Sequence, residues 1–237
     1  MTGASRGIGH AVATGLALRG VDVLAGVRTV SPSPTLDEIH LDLCDLGEFA
    51  PPDALQILVN NAGLDTAYLP VEHMPLDSWR AVFETNVFGL VELTRRCIPV
   101  MRTNGGGVIV NITSASLAVG MPLYACYRAS KAAVAAFGES LSAEVAAFGI
   151  RVVEVAPGPI ATDMLADSDR LPEAARCDGY VELAQGVWDG RRSIEPFVTP
   201  VDVAAARIVE AILDPSVTGR VACDQLGADL TGAPLSG

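Results

Sequence analysis

Histidine is scarce in this sequence. Only His10, His40 and His73 occur among 237 residues, and none has a second ligand at a telling spacing. The five cysteines (Cys44, Cys97, Cys126, Cys177, Cys223) are scattered and contain no C-x-x-C pair, so no metal site is expected. Odd in number, they make no disulfide frame either and read as reduced thiols of a cytoplasmic protein. Basic residues are few, 16 against 28 acidic, for a formal net charge of −12. That balance argues against nucleic acid or an anionic membrane surface as the main partner. No apolar run reaches the ~18 residues of a membrane span, and no signal-peptide pattern opens the sequence. What is plentiful is apolar residue, 50% with 19% charged, which is a globular composition with ample chain for one sizeable core.

The chemistry concentrates in 114–131, SASLAVGMPLYACYRASK. If the run from about Pro122 onward is helical, Tyr127 and Lys131 stand at i and i+4 on one face. A free phenol, with a pKa of about 10, is a poor base at neutral pH. A lysine ammonium within a few ångströms favours the phenolate and suits the phenol for proton transfer. Ser114, thirteen residues before Tyr127, lies on the segment that precedes the helix and can hold a substrate oxygen beside the phenol. Taken alone, Y-x-x-x-K fits a weakly paired surface contact as well as an active site. Its company decides between them.

The chain begins M-T-G-A-S-R-G-I-G and runs into a helical pattern from His10 to Arg19. Glycines 3, 7 and 9 allow a tight turn and close backbone approach, and the helix N-terminus suits a pyrophosphate. The bland alternative is an ordinary glycine-rich loop. Strand-like runs follow at Val21 to Val27, Ile39 to Leu41, Leu55 to Val59, Gly107 to Ile112 and Ile150 to Val155, with an edge strand at Arg220 to Cys223. They alternate with helical patterns over Leu76 to Met101 (holding Asn86), Tyr127 to about Phe148, and Val201 to Leu213. Alternation of this kind predicts a doubly wound, Rossmann-type parallel sheet between helical layers, a three-layer α/β fold in a single domain spanning 1–237. Gly3, Asn60, Ser114 and Pro157 then converge on one crevice at the carboxyl ends of the strands. The weakly patterned segment 163–199 is long for a loop and is expected to act as a substrate lid. Its Met164, Leu165, Leu171, Tyr180, Leu183, Trp188 and Phe197 either meet an apolar ligand or pack the segment down. Arg170, Arg176, Arg191 and Arg192 either contact an acidic group or are surface charge.

With these residues placed, the chain resembles the short-chain dehydrogenase/reductase family over most of its length. The matching motifs are T-G-A-S-R-G-I-G at 2–9, L-D-L at 41–43, N-N-A-G at 60–63, Asn86, Ser114, Y-R-A-S-K at 127–131 and P-G-P-I-A-T at 157–162. The resemblance implies that Tyr127 is the acid/base and that Ser114 binds the substrate oxygen. Lys131 would lower the Tyr127 pKa and hold the nicotinamide ribose, with Asn86 anchoring a water behind it. It places Gly3, Ser5, Arg6, Gly7, Ile8 and Gly9 under the pyrophosphate and Asp42 and Leu43 at the adenine. Asn60, Ala62 and Gly63 would form the floor of the cofactor cleft. Ile160 and Thr162 would contact the nicotinamide carboxamide, with Pro157 and Gly158 also in the cofactor site. The implied activity is hydride transfer between nicotinamide and a carbonyl or secondary alcohol of a small molecule. A homodimer or homotetramer through the long central helices is implied too, with Ala132, Ala133, Ala135, Ala136 and Ala143 permitting close approach.

Cofactor preference is argued from charge. An acid at the end of the second family strand accepts ribose hydroxyls in NAD-preferring members. Here Gly26 holds that position, while Arg28 and Arg6 can pair with a 2′-phosphate, so NADP(H) is expected over NAD(H). Two departures accompany the resemblance. The strand that normally precedes the glycine loop is missing from the sequence as given, from which we expect a late start or a truncation. The connections 29–35 and 43–54 are also short for parallel crossovers, so both crossover helices are expected to shrink to turns. The competing expectations are a non-catalytic dinucleotide-binding regulator on the same fold, or a truncated inactive relative.

Overall fold

The computed structural model describes residues 1–31, 35–167 and 171–236. Six strands are all parallel: β1 (Leu24–Val27), β2 (Asp37–His40), β3 (Ile57–Asn60), β4 (Gly107–Ile112), β5 (Ile150–Val155) and β6 (Gly219–Val221). They form two sheets, β1-β2 and β3-β4-β5-β6. The helices are α1 (Gly7–Leu18), α2 (Leu76–Phe83), α3 (Leu90–Thr103), α4 (Ala125–Val145), α5 (Asp163–Asp167), α6 (Val181–Ser193), α7 (Val201–Leu213) and α8 (Gln225–Thr231).

Strand residues alternate between two helical layers, as the period of two requires. Val108, Val110, Ile112, Val153 and Val155 pack in one cluster with Val12 and Leu16 of α1 and with Ile208 and Ile212 of α7. Their neighbours Ile109, Ile150 and Val152 pack in a second cluster with Leu93, Cys97 and Met101 of α3 and with Leu141 and Val145 of α4. Both faces of β4 and β5 are therefore covered, which is why apolar residues stand at consecutive positions in these strands, interrupted only by Asn111, Arg151 and Glu154. The three-layer α/β architecture expected from the sequence is the one observed.

Between β1 and β3, residues 1–4 act as a short joint. Gly26 donates its N–H to the Met1 carbonyl at 2.7 Å, Thr2 donates to the Val59 carbonyl at 3.0 Å, and Ala4 donates to the Gly26 carbonyl at 3.2 Å. Thr2 and Gly26 form an isolated parallel bridge. Residues 1–4 thus stand as a common neighbour of β1 and β3 near the carboxyl ends of those strands. Short crossovers behave as expected: β1 pairs directly with β2, and among the described residues no helix intervenes there or between β2 and β3. Residues 32–34 of the first connection lie outside the described residues.

Three expectations need correction. The helical run from Leu76 is not one α-helix, because a π-helical stretch, Glu84–Gly89, separates α2 from α3 and carries Asn86. Such stretches occur often at functional sites, since the extra residue re-aims side chains. The segment 163–199 is not a structureless loop. It holds α5 and α6, whose polar composition hid a helix with little buried surface, Ala184 being its one fully buried residue. Finally, α8 follows β6 where no helix was expected; Asp224 caps it by accepting the Gly227 N–H at 2.7 Å.

The joint at Thr2 is the element most open to test. Its hydroxyl accepts the N–H groups of both Asn61 and Ala62 at 3.0 Å. Thr2→Val keeps the shape and removes the acceptor, leaving two largely shielded amides without it. Urea unfolding should show a loss of about 2 kcal/mol, with Thr2→Ser much closer to the parent. Equal losses in both variants would place the effect in packing rather than in the hydrogen bonds.

Candidate active site

The glycine loop opens directly into α1, whose N-cap residue Arg6 makes no side-chain cap and whose first turn holds no acid. Its leading amides are thereby left to a ligand or to solvent. Close approach at this point requires glycine: a Cβ on Gly9 would stand 2.2 Å from the Gly3 carbonyl oxygen. This bare, amide-lined cradle fits a dinucleotide pyrophosphate.

From the cradle a cavity of about 390 Å³ runs along the carboxyl ends of the strands. Of the cofactor residues expected from sequence, Gly3, Ser5, Arg6, Gly7, Ile8, Gly9, Arg28, Asp42, Leu43, Ala62, Gly63, Pro157, Gly158, Ile160 and Thr162 all line it, together with Ser114, Tyr127 and Lys131. Arg28 directly follows β1, and Arg6 lies in the glycine loop, its guanidinium 3.5 Å from Asp163. Both arginine side chains are exposed. Gly26 lies inside β1, with Val27 completing the strand before Arg28.

Asn60 does not join them. Its side chain is buried and turned into the α3 layer, where Nδ2 donates to Thr94 Oγ1 at 3.1 Å and to Asn111 Oδ1 at 3.0 Å. The reason is strand alternation: Asn60 ends β3 facing the helices, and the chain enters the cleft only from Asn61 onward. Asn86 is likewise buried behind the wall rather than on it. It clasps the Leu64 backbone from both sides, accepting the N–H at 2.7 Å and donating to the carbonyl at 2.9 Å, and also donates to Ser130 Oγ at 3.0 Å. Gly63 lies between this amide and Lys131; a Cβ there would be 3.4 Å from Asn86 Oδ1 and 3.5 Å from Lys131 Nζ.

Ser114 ends β4's continuation and caps a short 3₁₀ turn by accepting the Ser116 N–H at 3.2 Å. The next turn contains Leu123 at φ +64°, a left-handed conformation uncommon for residues other than glycine, two residues before α4 begins. One helical turn then separates Tyr127 from Lys131, as the spacing predicts. Lys131 is buried and donates to the Ile112 carbonyl at 2.7 Å, with its ammonium 5.7 Å from the Tyr127 ring centroid.

Electrostatics run against one expectation. Burial pushes the Tyr127 phenol well above its ordinary pKa, the Asp65 carboxylate and Tyr68 push it further, and a hydrogen bond with Ser114 offsets part of this. Burial lowers the Lys131 pKa to about 8, against a partial lift from Asp65. The sequence pointed to the pair but gave no measure of how completely both groups are desolvated.

Sequence reading also missed a cluster beside the phenol. Tyr68, Tyr124 and Tyr127 are stacked in a column, with centroid separations of 4.7 Å and 4.8 Å. The Arg191 guanidinium from α6 lies 4.2 Å over the Tyr68 ring and hydrogen-bonds its hydroxyl. Tyr124 donates to Asp65 Oδ2 at 3.1 Å. Tyr124 stands three residues before Tyr127, so helical spacing could have flagged it; nothing local flagged Asp65 or Tyr68. Of the lid residues, Met164, Leu165 and Arg191 line the cavity, and Tyr180 packs with Tyr68. Trp188 and Arg192 line a neighbouring cavity, while Leu171, Leu183 and Phe197 are exposed. Arg170 lies outside the described residues.

The family profile described as short chain dehydrogenase matches residues 49–172. The chain belongs to the short-chain dehydrogenase/reductase family of NAD(P)-dependent oxidoreductases. An uncharacterized oxidoreductase, YusZ, of Bacillus subtilis is 35% identical over 192 residues, covering 71% of this chain and 66% of its own length. A 3-oxoacyl-[acyl-carrier-protein] reductase of Synechocystis is 34% identical over 197 residues, covering 73% of this chain and 77% of its own. A solved short-chain dehydrogenase from Burkholderia cenocepacia, in complex with NADP, superposes with a TM-score of 0.73 at 27% identity, covering 98% of this chain and 89% of that one. No helix among the described residues is long and apolar enough to cross a membrane.

Lysine burial yields a pH prediction. The folded pKa of Lys131 lies below its unfolded value, so between about pH 8 and 10.5 the unfolded chain holds the extra proton and stability rises with pH. Lys131→Met removes that gain. The unfolding free energy of the parent relative to Lys131→Met should therefore climb by about 3 kcal/mol from pH 7 to pH 10. A flat difference would mean that the ammonium is not desolvated.

Proposed function

We propose that the protein transfers hydride between NADP(H) and a carbonyl or secondary alcohol. The reading is carried by one observation: Ser114, Tyr127 and Lys131 share a wall of the cavity whose other end is the uncapped, glycine-lined start of α1. Ser114 holds the substrate oxygen, Tyr127 exchanges a proton with it, and Lys131 engages the ribose hydroxyls. Asn86 fixes the Gly63–Leu64 backbone opposite Lys131. Bound nicotinamide supplies or accepts the hydride, and the protein supplies position and electrostatics. A phenol that burial keeps protonated is the form that donates to a nascent alkoxide when the enzyme runs as a reductase, and its phenolate accepts the proton in the reverse reaction.

The preference for NADP(H) over NAD(H) rests on Arg28 and Arg6, which face one cleft with no acid at Gly26 to receive ribose hydroxyls. The Arg6–Asp163 contact joins two largely exposed groups and competes little with a phosphate. We also read the protein as a cytoplasmic homodimer or homotetramer. Ala132, Ala136 and Ala143 are exposed along one face of α4, where a second helix can approach closely; Ala135 is buried and turned the other way.

Tyr127→Phe should cut turnover by about 10²–10⁴-fold while NADPH fluorescence titration stays within about threefold of the parent; substantial residual turnover removes Tyr127 from the role. Arg28→Ala should weaken NADPH by about tenfold, the worth of one charged hydrogen bond, with NADH little changed. Matching losses for both cofactors would mean that Arg28 does not meet the phosphate.

A further inference from the structure

A carboxylate lines the cavity wall that carries the proposed acid/base, and the proposed hydride transfer makes no use of it. Asp65 is half-buried and lines the cavity with Ser114, Tyr124, Tyr127 and Lys131. Its hydrogen bonds come from the Tyr124 hydroxyl at 3.1 Å and from the Thr66 N–H at 2.7 Å. An ionised carboxylate has about four acceptor sites, so two bonds leave capacity facing the cavity. Among the described residues it makes no ion pair within 4 Å, whereas other half-shielded acids of the chain, such as Glu92 and Glu154, are paired with arginine. Shielding a carboxylate without such a partner is costly, and here burial raises its pKa.

We infer that Asp65 is a specificity-determining residue that accepts a hydrogen bond from a hydroxyl group carried beside the reacting carbon, so that the substrate is a vicinal diol or the matching α-hydroxy ketone. This rests on the oxidoreductase reading. Geometry supports adjacency: Asp65 holds Tyr124, and the Tyr124 ring lies one stacking distance, 4.8 Å, from the ring of Tyr127. Charge separates hydroxyl from ammonium. Lys131 and Arg191 already act on Asp65 as cations from α4 and α6, so part of its charge is offset and a third positive group gains less there than at an isolated carboxylate, whereas a neutral donor needs no such gain. Tyr124, held by Asp65 and stacked on both sides, is fixed against swinging into the space the hydroxyl would take.

The test is oxidation of cis-1,2-cyclohexanediol and of cyclohexanol with NADP⁺, together with calorimetric binding of each alcohol to the NADP⁺ complex. The parent should favour the diol by at least tenfold in kcat/KM and in affinity. Asp65→Leu should bring that ratio to about one, and Asp65→Asn, which keeps an acceptor oxygen for Tyr124, should leave an intermediate ratio. A role in merely propping Tyr124 would lower both alcohols together and leave the ratio unmoved, which overturns the inference. Equal handling of the alcohols by the parent, or no measurable binding of the diol, overturns it as well, whatever the fate of the variants. trans-2-Aminocyclohexanol preferred over the diol would overturn the choice of a neutral donor. Failure of the parent to bind NADPH, read separately by fluorescence, counts against the oxidoreductase reading and not against Asp65.

Discussion

One hydroxyl joins the halves of this molecule. Thr2 Oγ1 receives the N–H groups of Asn61 and Ala62 while the Thr2 N–H binds the Val59 carbonyl, and Asn61 Nδ2 reaches back to the carbonyls of Thr2 and Gly3. The glycine loop and the segment after β3 are thereby held in one register. Both segments line the cleft, so its shape depends in part on these bonds. With the sheet otherwise divided into β1-β2 and β3–β6, no continuous ladder shares the load.

The other demand is burial on the far side of the cleft. Lys131 and Tyr127 are both shielded, and each pays in the pKa direction that suits the uncharged form. A lysine with a pKa near 8 stays largely protonated at neutral pH, yet it sits close enough to its midpoint for a small change in local charge to alter that. Asp65 touches both members of the pair electrostatically, lifting each pKa. Local charge in the site therefore depends on whether that carboxylate is ionised, and a donor that hydrogen-bonds it would tune the proton transfer as well as position the substrate.

How much was legible in the sequence follows from the range of the forces involved. Runs such as Gly107 to Ile112 and Ile150 to Val155 announced buried parallel strands because every residue in them meets a helix on one face or the other. The Tyr127–Lys131 pair was readable because i, i+4 spacing is a property of one helix. Asn60 was placed wrongly because only alternation counted from an observed strand end tells whether its amide faces cleft or core. The π-helical turn around Asn86 was invisible, since the Asn86 clasp that goes with it is made on Leu64, 22 residues away. Asp65, Tyr68 and Arg191 were likewise out of reach: their meeting depends on how α6 lies over the loop after β3. α6 itself buries too little to leave an apolar stripe.

Charge sets the last constraint, on the cofactor end. With 28 acids against 16 bases, the protein as a whole repels a polyanion, and attraction must be local. At physiological ionic strength charges more than about 8–10 Å apart are largely screened, so the bulk of that negative charge does not reach the ribose. What the phosphate would meet is the immediate lip of the cleft, whose lining includes Arg6, Arg28 and Asp42. Asp42 has its Oδ1 engaged by the Cys44 N–H at 2.9 Å, which holds that carboxylate in a turn of its own chain. The two guanidiniums are solvated rather than locked, so engaging a phosphate breaks no strong bond. Selectivity at this lip is therefore expected to weaken with salt more than catalysis at the buried Tyr127 does, because screening acts on exposed charges and spares desolvated ones.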